Sequence, residues 1–447
     1  MIRKLSILFA GALMGATAMT VFVGQQSGVA NAAGSDTYRQ LAIFGDVFER
    51  VRAQYVDVPD DQKLIETAIN GMLTQLDPHS SYMNAKEAAD MRTETRGQFG
   101  GLGIEVTMEN ELVKVVSPFE GTPADKAGVL AGDMIAEING EQVRGLTLAQ
   151  AVEKMKGDIG TSVSLTIVRE GATKPVRLSI KRDEIKVPSV RHSVENDVGY
   201  IKLLKFNEQT TVGMEEAIAD IEAKIPADKL KGFVLDLRRN PGGLLDEAVS
   251  VSDAFLENGE IVSTRGRNAE ETRRYNARGG DDIKGKPLVV LVNGGSASAS
   301  EIVAGALQDQ RRATVVGSRS FGKGSVQTII PLGANGALRL TTALYYTPSG
   351  RSIQGRGIDP DITVAQPLPD DIKKQMGLDS EDEVVRGESG LRGHITGNEE
   401  NAEGSGSLDY VPPEAKDDLQ LNYAYDLLRG IKTDANFPPK ADKRAAK

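Results

Sequence analysis

A serine at the mouth of a helix and a lysine held between two glycines are the residues here whose types and placement could do chemistry. The serines stand in Ser296-Ala297-Ser298-Ala299-Ser300-Glu301, the lysine in Phe321-Gly322-Lys323-Gly324. A serine hydroxyl is a weak nucleophile until a base takes its proton, and a lysine can take it only when neutral. Free lysine titrates near 10.4, so burial must lower it by roughly two to four units before it serves near neutrality. The apolar runs on either side of Lys323 can supply a dry pocket, and its glycines permit a sharp turn. Gln327, four positions on, shares a face with Lys323 if this stretch is a strand, where its amide can orient the amine.

The element that must present the serine is the continuous run Leu288-Val289-Val290-Leu291-Val292, which reads as a strand buried on both faces. Gly294-Gly295 ends it, and Ile302 to Leu307 follows at helical spacing, so backbone N–H groups and the positive end of a helix dipole face the site. A second strand, Ala313 to Val316, leads to the lysine loop, and a third apolar run spans Val326 to Pro331.

In this order the elements resemble the carboxyl-terminal processing (tail-specific) proteases, PDZ-containing serine peptidases with a Ser–Lys dyad. The resemblance implies that Ser298, the middle serine of S-A-S-A-S-E, is the nucleophile. It implies Lys323, in F-G-K-G-[ST]-V-Q, as the base and Gln327 as its partner, with serine and lysine 25 positions apart as in the family. It further implies an oxyanion hole made by the N–H groups of Ala299 and of Gly243, the latter in Arg239-Asn240-Pro241-Gly242-Gly243. Such a donor is typically worth roughly 2.7–4 kcal/mol.

Three other readings compete for these residues. Gly317 to Lys323 fits G-x-x-x-x-G-K, but Gly324 stands where a phosphate loop needs Ser or Thr, and the strand-like Val326 to Ile330 stands where it needs a helix. Ser320-x-x-Lys323 fits S-x-x-K, but two glycines oppose the helical turn that dyad requires. Ser298 can also be a plain helix cap.

The chain has 447 residues, enough for two or three domains, and a formal charge of −10 with no basic footprint for nucleic acid. It has no cysteine and three histidines, His79, His192 and His394, far apart and outside any H-E-x-x-H pattern. These read as structural or surface residues, and no metal or cofactor is required. Residues 1–33 combine a basic start, an apolar run from Leu5 to Val23 and Ala30-Asn31-Ala32, the pattern of a secretory signal or uncleaved anchor. The catalytic part is then exported, to the periplasm in a bacterial envelope.

Residues 36–96 read as helices that cap and pack, with a possible dimer surface and no chemistry of their own. Over 98–183, Gly100-Gly101-Leu102-Gly103-Ile104-Glu105-Val106 resembles the carboxylate-binding loop and strand of PDZ domains, as does Gly132-Asp133-Met134-Ile135-Ala136-Glu137-Ile138-Asn139-Gly140. Gly101, Leu102, Gly103 and Ile104 are the expected peptide-binding positions, where turn N–H groups hold a terminal carboxylate and the peptide adds as a strand. Residues 184–366 form the protease core, with part of it open to contribution from the N-terminal region. Residues 378–408, acidic and poor in apolar side chains, read as a disordered linker, and 409–434 as a C-terminal amphipathic helix able to pair with a neighbour. The expected fold is α+β and multidomain: a helical N-terminal region, a PDZ domain, a ClpP/crotonase-like β/α protease core and that last helix.

The function this implies is a serine endopeptidase of the cell envelope that recognises protein C-termini through its PDZ domain and cleaves through an acyl-enzyme. The resemblance makes peptidoglycan hydrolases or other envelope proteins plausible substrates, and a homo-oligomer and a delivering adaptor plausible partners. Two rivals are a catalytically inactive PDZ adaptor on a protease-like core and a nucleotide-binding protein using Gly317 to Lys323.

Overall fold

The computed structural model describes residues 36–376, 387–396 and 406–439; the expected signal or anchor, 1–33, lies outside the described residues. Among the described residues no helix is long and apolar enough to cross a membrane.

The chain divides into two compact units, Met1–Gly71 and Met72–Lys447. In the first, a helix covers 36–54, and Arg52 reaches past Pro59 to pair with Asp61 at 3.0 Å. Leu41, Phe44 and Val47 of that helix are more than half exposed, at 59%, 52% and 53%. The helix Asp61–Leu73 begins in this unit.

The second unit is built on a six-stranded sheet. Its order is Val190–Glu195, Val198–Leu203, Gly232–Asp236, Leu288–Val292, Thr314–Gly317, Ile362–Thr363, parallel throughout except for the first pair. Parallel neighbours need crossovers, and the helices Thr210–Lys224, Leu245–Asp253 and Ala299–Asp309 lie within three of them. The unbroken apolar run of Leu288–Val292 follows from burial on both faces. Val290 and Val292 pack with Met214, Val251 and Val303, while Val289 and Leu291 pack with Leu421, Tyr425 and Leu428.

The helix Leu419–Leu428 therefore packs on this chain's own sheet, not on a neighbour as its amphipathic face suggested. Each leucine buried there is worth about 1.5–3 kcal/mol relative to exposure. Arg238, only 1% exposed, pins the helix by hydrogen bonds of 2.8 Å to Asp236 Oδ2 and 2.8 Å to each Asp418 oxygen. The expected linker, 378–408, falls partly outside the described residues. Within it, Gly387 and Glu388 are buried, and Ser407 Oγ donates to the Arg319 carbonyl at 2.8 Å. Those parts are not a free linker.

A second sheet centres on the long strand Ala337–Tyr346. Ser325–Pro331 pairs along one side, and Ser81–Met83 and Glu260–Gly266 share the other, at opposite ends. The polar stretch Asn258 to Gly285 supplies Glu260–Gly266 and the edge strand Arg273–Asn276.

The PDZ region is a sheet in the order Ile104–Glu109, Leu112–Pro118, Met134–Ile138, Ser162–Val168, Val176–Lys181, with Glu141–Gln142 beside Met134–Ile138. Its helix, Leu148–Met155, starts at a Thr147–Gln150 capping box. Entry and exit strands, Gln98–Gly101 and Asp183–Lys186, pair antiparallel, so the domain hangs on a two-stranded stem.

Candidate active site

The serine turn sits where the strand Leu288–Val292 gives way to the helix Ala299–Asp309, at the carboxyl end of the parallel sheet. Crevices at that edge are the usual ligand sites of such sheets. The three serines have different fates there. Ser296 Oγ donates to the Leu237 carbonyl at 2.9 Å and Ser300 Oγ to the Asn240 carbonyl at 3.0 Å, both from fully buried positions. Ser298 is the one that lines the cavity, from a backbone at φ 55°, ψ −112°. A positive φ on a non-glycine residue costs of order 1–3 kcal/mol and persists only where the surroundings impose it.

Those surroundings centre on Glu301, which is completely buried. Its Oε2 accepts from the N–H of Ser298 at 2.8 Å and the N–H of Lys323 at 2.9 Å. Its Oε1 accepts from Ser320 Oγ at 2.5 Å and the N–H of Gly322 at 2.6 Å. One carboxylate thus fastens the serine turn to the lysine loop, helped by a bond of 3.0 Å from the Phe321 N–H to the Ser296 carbonyl. Burial pushes the Glu301 carboxyl up to about 7, although all four donors act to lower it. The sequence reading had Glu301 in its motif but no role for it.

Ser298, Lys323, Gln327, Gly243 and Arg339 line one open cavity of about 570 Å³. Burial holds the Lys323 amine below the ordinary lysine range, with Arg339 acting in the same direction and Glu388, Glu301 and Asp77 opposing. Among the described residues no hydrogen bond joins Ser298 Oγ to Lys323 Nζ.

Gln327 is not bonded to the amine. Its side-chain amide donates to Ser325 Oγ at 2.9 Å and Thr341 Oγ1 at 3.3 Å. Two features undo the simple four-position spacing: Lys323 precedes the strand, which begins at Ser325, and a register shift falls between Val326 and Gln327.

Opposite the serine, Gly242 and Gly243 adopt φ of 97° and 149°. A methyl on Gly242 would stand 2.7 Å from the Ala297 carbonyl, 2.8 Å from Ser298 Cβ and 2.9 Å from the Ala299 nitrogen. The turn therefore lies directly against the nucleophile position. Among the described residues the N–H groups of Gly243 and Ala299 have no hydrogen-bond acceptor, whereas the Gly242 N–H is taken by Asn240 Oδ1 at 2.9 Å.

The turn after Leu76 does more than pack. Asp77 accepts from the Ser80 hydroxyl at 2.6 Å and from Thr341 Oγ1 at 3.1 Å, so it holds a partner of Gln327, and its charge reaches Lys323. The expectation that 36–96 carries no chemistry is corrected to that extent; nothing in the local pattern marks Asp77 out.

In the PDZ region, Gly101 ends the stem strand, Leu102 is buried in the domain core, and Gly103 turns at φ 75°. Ile104 opens the edge strand of the sheet and packs against the same buried core as Leu148 and Val152 of the helix. A strand at the end of a sheet can accept an added strand. Among the described residues no group of three or more His, Asp or Glu side chains is placed to hold a metal ion.

Comparison with known proteins agrees with this architecture. The family model Peptidase family S41 matches residues 197–364, PDZ domain residues 100–180, and Activating protease CtpB N-terminal domain residues 9–87. The chain is 62% identical over 443 residues to the carboxy-terminal-processing protease of Bartonella bacilliformis, covering 99% of this chain and 100% of that one. It is 37% identical over 325 residues to a probable CtpA-like serine protease of Staphylococcus aureus, covering 72% of this chain and 64% of that one. The solved photosystem II D1 C-terminal processing protease is 31% identical, with a TM-score of 0.42 over 74% of this chain and 95% of that one. The chain belongs to the carboxy-terminal-processing serine proteases of peptidase family S41, with a PDZ domain joined to the protease domain.

Proposed function

We propose that this protease cleaves through a Ser298–Lys323 dyad and an acyl-enzyme, and that its PDZ domain selects substrates by their C-termini. The observation that carries the dyad is the shared cavity, where the hydroxyl and a lysine depressed by burial stand on two loops tied to one Glu301 carboxylate. In this reading Ser298 Oγ attacks a peptide carbonyl and passes its proton to Lys323 Nζ. The developing oxyanion takes the N–H groups of Gly243 and Ala299. Lys323 then gives the proton to the departing amine, and in the second half-reaction takes one from the water that attacks the acyl group and returns it to Ser298 Oγ as the ester bond breaks. Catalytic hydrogen bonds commonly tighten only when substrate is bound. Gln327 then keeps Ser325 and Thr341 on its Nε2 and turns its Oε1 to accept from Nζ.

Substrate capture rests on the edge strand Ile104–Glu109 and the Gly101-Leu102-Gly103 turn, a site for an extended tail and its carboxylate. The expected substrates are envelope proteins with exposed C-termini, peptidoglycan hydrolases among them, delivered with or without an adaptor. The pattern in residues 1–33 supports a periplasmic enzyme, and the exposed Leu41, Phe44 and Val47 support homo-oligomerisation through the N-terminal helix.

Purified protein should hydrolyse an unfolded test protein, and Ser298→Ala and Lys323→Ala should abolish this while remaining folded. Turnover by either variant refutes the dyad. Tail peptides with a free carboxylate should bind more tightly than their amides; equal binding refutes recognition of the terminus. Tail binding without turnover by the wild-type chain is the outcome that favours the inactive adaptor.

A further inference from the structure

Far along the chain, Glu388 enters the fold behind the lysine loop, where the dyad scheme gives it no part. It is 0% exposed, in a segment, 387–396, whose only other buried residue is Gly387. His79 Nε2 lies 2.9 Å from Oε1 and 2.8 Å from Oε2, and Gln354 Nε2 donates to Oε1 at 2.9 Å. The Glu388 N–H donates to the Phe321 carbonyl at 2.9 Å, two residues before Lys323. Gln354 also accepts from the N–H of Gly324, one residue after it, at 2.9 Å. The lysine loop is thus held on one side by the Glu388 main chain and on the other by Gln354, whose amide the Glu388 carboxylate positions.

We propose that Glu388 is a positioning residue for Lys323, bracing the loop around it through Gln354 and placing a carboxylate in the amine's buried surroundings. Burial alone pushes the Glu388 carboxyl up, but hydrogen bonds from His79 and Gln354 and the charges of His79 and Lys323 outweigh it, so the group stays ionised. The charged groups that act most on Lys323 are Glu388 from the C-terminal segment, Arg339 from the long strand, Glu301 from the serine helix and Asp77 from the turn; Glu94, Lys205 and Asp246 line the same cavity. Glu388 leads those that favour the ammonium. It therefore opposes burial and limits how readily the amine becomes a base. His79 pairs with the carboxylate and sets how much of its charge the amine feels.

The inference rests on Lys323 being the base, and its test reads the amine directly. The full chain is labelled with trace acetic anhydride across a pH series. Acetylation of Lys323, followed by peptide mass, is compared with that of an exposed lysine as internal reference, since only neutral amine reacts. Glu388→Gln should move the Lys323 midpoint down by about one pH unit, the low end for loss of an adjacent opposite charge. Glu388→Asp, which keeps the charge, should return it most of the way. His79→Lys, which pairs the carboxylate with an ammonium up to about pH 10 while leaving it in place, should also lower the midpoint and serves if Glu388→Gln does not fold. An unmoved midpoint in the folded variants overturns the proposal. Activity retained by Lys323→Ala overturns the dyad instead, and leaves the charge effect to be judged on the midpoint alone.

Discussion

Replacing Glu301 separates two costs that the structure allows to be worked out. In Glu301→Gln one oxygen becomes an NH₂ group and meets former donors. The amide can keep its oxygen at the Oε2 position, preserving the bonds from Ser298 and Lys323, and turn its NH₂ toward Ser320 Oγ and the Gly322 N–H. The Ser320 hydroxyl, which already accepts from the Ile358 N–H, can rotate to accept, so two buried donors, the Gly322 N–H and the Ser320 O–H, are left unpaired, at about 1–3 kcal/mol each. Glu301→Ala strips all four donors of their acceptor, on the order of 4–12 kcal/mol before relaxation, which rivals the roughly 5–15 kcal/mol that holds most domains folded. Thermal unfolding should therefore show Glu301→Gln folded but lowered by about 2–4 °C per kcal/mol lost. Glu301→Ala should be unfolded or barely folded. If the misfit in Glu301→Gln appears at the reacting atoms, kcat/KM on a peptide substrate falls by about 10- to 100-fold. A Glu301→Ala protein within about 0.5 kcal/mol of wild type would show that this carboxylate does not join the two loops.

The same carboxyl makes a pH prediction. Its folded value, about 7, lies above the ordinary 4.5, so the fold favours the protonated form. That contribution is fully present below about 4.5 and is lost as pH rises through about 7, amounting to about 3 kcal/mol; Glu301→Gln should flatten this slope in denaturant titrations, and an unchanged slope contradicts the assignment. Gly242→Ala places a methyl 2.7 Å from the Ala297 carbonyl at a φ of 97°, so activity should fall by at least about 100-fold, as for loss of an oxyanion donor, with near-normal activity as the contrary result. Asp418→Ala leaves buried Arg238 with Asp236 as its one carboxylate, and urea unfolding should show a loss toward the low end of about 3–5 kcal/mol. A loss under about 1 kcal/mol would mean the C-terminal helix is held by its apolar face alone.

The nucleophile-bearing unit was legible because its signals are local. The strand expected at Leu288 to Val292 is observed with those bounds, and Asn84 caps the helix that follows Asn84 itself through a box with Glu87, a pattern written in four adjacent residues. What escaped is what distant segments do to one another. His79 and Glu388 are 309 positions apart, and an acid within an apolar-poor stretch reads as solvated until its partners are seen. Gln327 misled through backbone geometry, since a register shift beside it breaks the period on which same-face reasoning depends. The C-terminal helix presents an apolar face whose partner the helix itself does not specify. Only the sheet face left open by Val234, Val289 and Leu291 decides that.

The most direct test of the central claim is to trap the acyl-enzyme. Wild-type protein and Lys323→Ala are mixed with an activated ester across a pH series, and the modified peptide is identified by mass. The account predicts a single adduct on Ser298, forming along a titration whose midpoint lies below the ordinary lysine value, and no adduct in Lys323→Ala. An adduct on Ser296 or Ser300, or one forming on Ser298 equally fast without Lys323, would contradict it.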